Sequence, residues 1–191
     1  EATAQWVLSL KPDAVIVACG ATRSLPQVPG APAHRVVSAF DVLAGITTVG
    51  DRVVVNKGGM FGCETANLLA RQGKKVFLVE SGDVAATDVE RFSWAALSRE
   101  LEQAGVEILV SSRIERVVSE GVLAVTVVSV DKGEQVLLAD RLVVIPELKP
   151  NNALAQELLG KVDTLVVIGD AKQPRRSREA ISEGYVASFN L

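Results

Sequence analysis

A glycine-rich stretch in the middle of the chain has the residue types that bind dinucleotide phosphates. It reads Asn56-Lys-Gly-Gly-Met-Phe-Gly62, follows the predicted strand Arg52-Val-Val-Val55 and leads into a helical pattern. Glycines there let the backbone turn tightly and approach a pyrophosphate, and the N–H groups at the start of a helix attract anions. The G-x-G-x-x-G frame falls on Lys57, Gly59 and Gly62, so its first glycine is replaced.

An acidic residue closes the same unit. Glu80 follows the apolar run at 75–79 and lies 23 residues after Lys57. A carboxylate there can accept hydrogen bonds from ribose hydroxyls, and it would repel a 2′-phosphate, which favours NADH over NADPH. The pattern therefore predicts a dinucleotide-binding β-α-β unit. A Rossmann-like unit that is retained for packing alone fits the same residues, and the sequence leaves both interpretations open.

The cysteines and the histidine give little sign of other chemistry. Cys19 and Cys63 form no C-x-x-C motif, and no familiar ligand spacing joins them to His34, so we expect neither a disulfide framework nor a metal site. Cys63 falls near a predicted helix N-terminus, where its thiol pKa would be lowered for redox chemistry. A buried, small apolar role is the favoured alternative.

Composition narrows the class of protein. The 191 residues are 48% hydrophobic and carry a formal net charge of −3, which argues against a nucleic-acid partner. No apolar run approaches the roughly 18 residues that span a bilayer, and no secretory signal is present, so a cytoplasmic location without a membrane partner is expected. The chain opens on a helical pattern without Met, which we interpret as a fragment boundary.

The periodicity of apolar residues predicts an α/β fold. The expected helices are 2–10, 38–45 with Ser38 as N-cap, 63–72, 88–104, 153–159 and a last helix from Ser177. The expected strands are 14–18, 52–55, 75–79, 106–110 and 164–168, with a three-stranded meander within 113–145 and a loop at 23–35. The run 14–18 is wholly apolar, which is typical of a parallel strand covered on both faces, and 164–168 is expected to be another buried strand.

Several segments, in this order, resemble one family. They are Val15-Ile-Val-Ala-Cys-Gly-Ala21, Gly59-Met-Phe-Gly-Cys-Glu-Thr-Ala66, Leu148-Lys-Pro-Asn-Asn152, Val167-Ile-Gly-Asp-Ala171, Arg175-Arg176 and Glu179-Ala-Ile-Ser-Glu-Gly-Tyr185. Together they resemble the C-terminal portion of the flavoenzymes that include 2,4-dienoyl-CoA reductase, trimethylamine dehydrogenase and histamine dehydrogenase. The resemblance implies a Rossmann-like NAD(P)H-type domain at 46–146, inserted in a partial FAD-type, glutathione-reductase-like domain at 1–45 and 147–191.

The resemblance also implies cofactors and partners. FAD, or ADP in its place, would bind the outer segments, and NADH is the expected ligand of the central one. FMN and a 4Fe-4S cluster would belong to an upstream barrel region, which also holds the first FAD-binding glycine loop. That region would be the main partner, an electron-carrier protein would be another, and the fragment alone would reduce no substrate.

Site residues follow by position in the family. Gly20 would lie near the flavin nucleotide, and Gly169 and Asp170 would begin the last nucleotide-facing turn, where Asp170 accepts hydrogen bonds from the sugar-like chain of FAD. A plain turn glycine at 20 and a helix-leading acid at 170 are the simpler alternatives. The central site would consist of Lys57, Gly58, Gly59, Gly62 and Glu80. No residue of the chain is expected to be catalytic.

Two departures from the family's pattern bear on function. Lys57 stands where the NADH-using members have glycine, and Glu147 stands where they have a small turn residue. A side chain at either place would crowd a dinucleotide, and a glutamate would also repel its phosphates. The first hypothesis is therefore an NADH-linked enoate reductase, and the alternative is a static FAD- or ADP-binding module of an amine-dehydrogenase-like flavoprotein whose NADH site has decayed.

Overall fold

The computed structural model describes residues 1–189. The helices are α1 (Ala4–Ser9), α2 (Ala39–Leu43), α3 (Gly59–Arg71), α4 (Arg91–Gln103), α5 (Ala153–Leu158) and α6 (Ser177–Ser188). The strands are β1 (Ala14–Val17), β2 (Ala21–Ser24), β3 (Val36–Ser38), β4 (Arg52–Asn56), β5 (Lys75–Val79), β6 (Glu107–Leu109), β7 (Ser112–Glu120), β8 (Val122–Ser129), β9 (Gly133–Ala139), β10 (Arg141–Val144), β11 (Glu147–Pro150) and β12 (Thr164–Val167).

The chain divides into two compact units. The inner unit is Leu25–Pro146, and the outer unit combines Glu1–Ser24 with the chain from Glu147 onward. The family resemblance predicts residues 25–45 in the outer domain, whereas in the structure they belong to the inner unit. The reason is β3, which pairs in parallel with β10 and so joins the sheet of the inner unit.

The inner unit has a five-stranded parallel sheet in the order β3-β10-β4-β5-β6, together with the antiparallel sheet β7-β8-β9. Val53, Val54 and Val55 on β4 are all fully buried because both faces of the parallel sheet are covered. One face packs in a cluster with residues of α3 such as Leu69, and the other packs in a cluster with residues of the antiparallel sheet such as Val125. The resulting Rossmann-like α/β fold confirms the predicted class.

The outer unit is built on the parallel pair β1 and β12 and the antiparallel pair β2 and β11. The parallel register runs from Ala14 opposite Thr164 to Val17 opposite Val167, so both strands end at the same edge. The helices α1, α5 and α6 also belong to this unit. Its strand ends therefore form the edge at which ligands of parallel sheets bind.

Most predicted elements are present, and the exceptions have clear causes. Ser38 Oγ accepts the N–H of Phe40 at 3.1 Å, which confirms the predicted cap of α2. The strands β2 and β3 were missed because each has four residues or fewer and lies beside a proline-rich loop. The three-stranded meander is confirmed, but the last apolar run forms β10, which returns to the parallel sheet beside β4. Helix α3 begins at Gly59 rather than 63, since its first turn contains glycines that favour a turn prediction.

Candidate functional site

The turn between β4 and α3, residues 57–62, is termed the glycine-rich turn. Lys57 has φ +80° and Gly59 has φ +69°. A non-glycine residue in this left-handed region costs about 1–2 kcal/mol, because Cβ crowds the following carbonyl. Position 57 therefore has the backbone conformation of a glycine, which agrees with its assignment to the first place of the fingerprint.

At two other positions of this turn, any residue larger than glycine would collide with the backbone of a neighbouring segment. A Cβ on Gly62 would lie 2.2 Å from the carbonyl oxygen of Lys57, and a Cβ on Gly58 would lie 2.0 Å from that of Ala85. Both distances are far inside van der Waals contact. Gly62 thus allows α3 to start close against the end of β4, which is the part that the third glycine of a dinucleotide fingerprint plays.

Glu80 follows β5, and its side chain turns onto the glycine-rich turn. One carboxylate oxygen accepts the N–H of Gly58 at 2.8 Å, and the other accepts the N–H of Gly82 at 2.8 Å and the hydroxyl of Ser81 at 3.0 Å. Burial opposes ionisation, but the hydrogen bonds from Gly82, Gly58 and Ser81 outweigh it and lower the pKa of Glu80. The Glu80 carboxylate is therefore held by several donors of its own chain, and it lies at the glycine-rich turn where a ribose hydroxyl would approach.

Residues 82–88, termed the covering segment, lie over the glycine-rich turn. The sequence gives no prediction of this contact. The Gly59 N–H donates to the Ala85 carbonyl at 2.7 Å, and the Met60 N–H donates to the Asp88 carboxylate at 3.0 Å and 3.2 Å. No sequence signal connects an acid at 88 with the turn, because the contact forms only when the chain after β5 folds back.

Cys63 lies within the first turns of α3, and its thiol is buried. The side chain is fully buried, and its Sγ lies 3.7 Å from the Ala85 carbonyl oxygen. Burial raises the pKa of the Cys63 thiol to about 12, and the nearby carboxylates of Asp88, Glu80 and Glu64 add to the effect. The hypothesis of a low-pKa redox thiol is therefore wrong, and the buried small residue is correct.

The outer unit has a cleft of about 410 Å³ at the carboxyl ends of β1 and β12. Gly20 has φ +75° and open space where a Cβ would point. Its carbonyl accepts the N–H of Asn151 at 3.1 Å, and the Asn151 side chain donates to the Cys19 carbonyl at 3.3 Å. The cleft is lined by Ala18, Gly20, Ile168, Gly169, Asp170, Arg175, Arg176, Ser177 and Ala180.

Glu183 on α6 bonds two residues that line this cleft, Gly169 and Arg175. Its carboxylate accepts the N–H of Gly169 at 2.8 Å and the ammonium of Lys172 at 3.1 Å, and it also pairs with the Arg175 guanidinium. The hydrogen bonds from Arg175 and Gly169 lower the pKa of Glu183 to about 2. Asp170 accepts the backbone N–H of Arg175 at 3.2 Å, so the Gly169–Ala171 turn is fixed from both sides.

The predicted site residues thus fall into two groups, one in each unit. Lys57, Gly58, Gly59, Gly62 and Glu80 meet at the start of α3, and Gly20, Gly169 and Asp170 share the outer cleft. Glu147 lies exposed on β11 of the outer unit, and its approach to a dinucleotide stays a prediction.

Within residues 1–189, no three His, Cys, Asp or Glu side chains are grouped to hold a metal ion. None of the helices in the same range has the length and apolar character that a bilayer crossing requires.

Comparisons with known proteins agree with this geometry. The profile of the family described as pyridine nucleotide-disulphide oxidoreductase matches residues 2–173. The chain is 32% identical over 196 residues to an NADH oxidase of Thermoanaerobacter brockii, with 100% of this chain and 30% of that protein covered. The chain therefore spans less than a third of this relative.

Solved structures show the same fold within larger proteins. A complex of 2-naphthoyl-CoA reductase with 2-naphthoyl-CoA matches with a TM-score of 0.85 and 28% identity, over 97% of this chain and 28% of that one. Histamine dehydrogenase from Rhizobium sp. 4-9 matches with a TM-score of 0.81 and 21% identity, over 100% of this chain and 32% of that one. At that identity the second likeness establishes the fold alone.

Proposed function

This chain belongs to the pyridine nucleotide-disulphide oxidoreductase family, whose members bind FAD and NAD(P)H, and we propose that it is the FAD- and NADH-binding portion of an enoate reductase. The observation that carries the proposal is the junction of β4 and α3, where Glu80 is bonded to the glycine-rich turn through the N–H of Gly58 at 2.8 Å. The likeness to 2-naphthoyl-CoA reductase supports an unsaturated acyl-CoA or related enoate as the substrate class.

The outer cleft fits part of an FAD molecule. Gly20 leaves open space at the strand end, and the Gly169 N–H is held by Glu183, so the turn that carries Asp170 is ordered. The Asp170 carboxylate accepts one backbone hydrogen bond from Arg175 and keeps capacity for hydroxyl donors. FAD, when bound, would accept a hydride and release electrons one at a time, while Asp170 would fix its sugar-like chain.

The inner unit fits the adenosine half of a dinucleotide. Hydrogen bonds from Gly82, Gly58 and Ser81 lower the pKa of Glu80 and so favour its charged form, and a charged carboxylate binds ribose hydroxyls and disfavours a 2′-phosphate. We therefore propose NADH rather than NADPH as the donor. Gly62 brings the start of α3 close to β4, and the ammonium group of exposed Lys57 supplies a positive charge on the same turn.

A second candidate function is a static FAD- or ADP-binding module that uses no NADH. It is favoured by the covering segment, since Ala85 and Asp88 already accept the N–H groups of Gly59 and Met60. A pyrophosphate at the start of α3 would take N–H donors of this kind, and in the structure both are already used within the chain. In this case electrons would enter from a substrate such as an amine and would leave to a carrier protein.

Cofactor retention tests the outer site. Asp170→Ala in the intact protein should lower the FAD or ADP content after purification by at least about tenfold, the size of one charged hydrogen bond. Asp163→Ala is the matched control, because Asp163 is an exposed acid of the same unit outside the cleft. Equal content in both variants would refute the assignment of Asp170.

Titration with NADH separates the two functions. The enoate-reductase proposal expects NADH to bind and to reduce the flavin. It also expects Glu80→Gln to weaken the binding of NADH more than the binding of NADPH. The static module expects no flavin reduction by NADH and reduction by an amine instead.

A further inference from the structure

The start of α3 is covered by the chain itself. The first N–H groups of a helix have no partner within the helix, and they are the donors that a bound phosphate uses. Here the Gly59 N–H donates to the Ala85 carbonyl at 2.7 Å, and the Met60 N–H donates to both oxygens of Asp88, at 3.0 Å and 3.2 Å. The two carboxylate oxygens of Asp88 thus stand where a phosphate oxygen would bind the Met60 N–H, and the Ala85 carbonyl oxygen occupies the Gly59 N–H.

The two ends of the covering segment differ in how firmly they are held. Ala85 and Ala86 are each 3% exposed and belong to the core cluster that includes Cys63. Asp88 is exposed, and its side chain forms no ion pair within the described residues. Its carboxylate lies against the turn, since a Cβ on Gly59 would be 3.2 Å from its nearer oxygen. The Ala85 end is therefore buried in the core, whereas the exposed Asp88 side chain is held on the turn only by its hydrogen bonds to Met60.

We propose that Asp88 is an autoinhibitory residue, whose carboxylate competes with the pyrophosphate of NADH for the Met60 N–H. This inference rests on the proposed function, because it requires that the glycine-rich turn accept a dinucleotide. The Asp88 side chain must leave Met60 before the phosphate can bind, and its negative charge must move away from the incoming anion. Asp88 thereby sets the affinity for NADH without touching the ribose or the nicotinamide.

A purely structural role for Asp88 predicts something different. A carboxylate at a helix N-terminus stabilises the helix, so its removal would lower stability and leave NADH affinity unchanged or weaker. Competition predicts that removal lowers stability and raises affinity. Affinity for an anion, measured beside thermal stability, therefore separates the two roles.

The test is calorimetric titration of the intact protein with NADH and, separately, with inorganic pyrophosphate. Asp88→Ala removes both the acceptor and the charge, and it should bind each probe at least about tenfold more tightly than the native protein. Asp88→Asn keeps an oxygen acceptor without the charge, and it should show an intermediate gain. Asp83→Asn is the matched control, because Asp83 is an exposed acid of the same segment that accepts no hydrogen bond from the turn.

Each outcome decides the inference. Tighter binding of both probes by the Asp88 variants alone supports it, and tighter binding of pyrophosphate without NADH binding supports it while refuting NADH as the ligand. Equal NADH binding by the native protein and all variants overturns it and leaves the proposed function standing. Absence of binding by every variant overturns both. If Asp88→Ala does not fold, Asp88→Asn alone carries the comparison.

Discussion

Lys57→Gly provides a quantitative test of the backbone conformation of the glycine-rich turn. Lys57 has φ +80°. Replacing a non-glycine residue in this left-handed conformation by glycine removes a steric cost of about 1–2 kcal/mol. Glycine also gains conformational freedom in the unfolded chain, which offsets about 0.4–1 kcal/mol. The variant should therefore be more stable than the native chain by about 1 kcal/mol, measured as the free energy of unfolding in urea.

The same substitution at a matched lysine should change the free energy of unfolding in the opposite direction. Lys132 is an exposed residue of the inner unit whose φ is not positive. Lys132→Gly should lose about 0.4–1 kcal/mol, because it brings only the unfolded-state cost. Equal destabilisation by both substitutions would refute the assignment of a glycine-like conformation to Lys57, and with it the alignment of the fingerprint at that position.

Further predictions concern packing, pH and thiol reactivity. Gly62→Ala should destabilise the chain by about 1–3 kcal/mol, because its Cβ would meet a backbone oxygen at 2.2 Å, whereas Gly184→Ala in α6 should be neutral or stabilising in the same thermal unfolding assay, since the nearest atom is 3.9 Å away. Glu183 has its pKa lowered from 4.5 to about 2, so its contribution to stability is complete above pH 4.5 and is lost as the pH falls to about 2. The stability difference between the native chain and Glu183→Gln should therefore shrink across that window, and a constant difference would refute the role of its charge. Cys63 should resist alkylation in the folded chain and react only after unfolding, whereas exposed Cys19 should react at once, as mass spectrometry would show.

The sequence was sufficient for the elements with strong periodicity and for the residues of the fingerprint. The strands β4 and β5 are apolar runs bounded by turn residues, and helix α3 ends before Gly73, which has φ +82° as a C-terminal glycine requires. The pairing of Glu80 with the turn also follows from the spacing, because parallel neighbours end at the same edge of a sheet.

The missed features all depend on contacts between distant segments. The strand β2 has four residues and exists because β11 pairs with it, with Ala21 opposite Pro150. The covering segment has no periodic pattern, and its place over the turn depends on burial of Ala85 and Ala86 in the core. Local propensity contains no information on either contact, so neither could be predicted from the residues alone.

The most direct test of the central claim is anaerobic titration of the intact protein with NADH while the flavin absorbance is followed. The enoate-reductase proposal predicts that NADH bleaches the flavin. It predicts that NADPH does so less effectively, because the charged carboxylate of Glu80 repels its 2′-phosphate. Absence of bleaching by NADH, together with reduction by an amine, would contradict the claim and would identify the inner unit as a static scaffold.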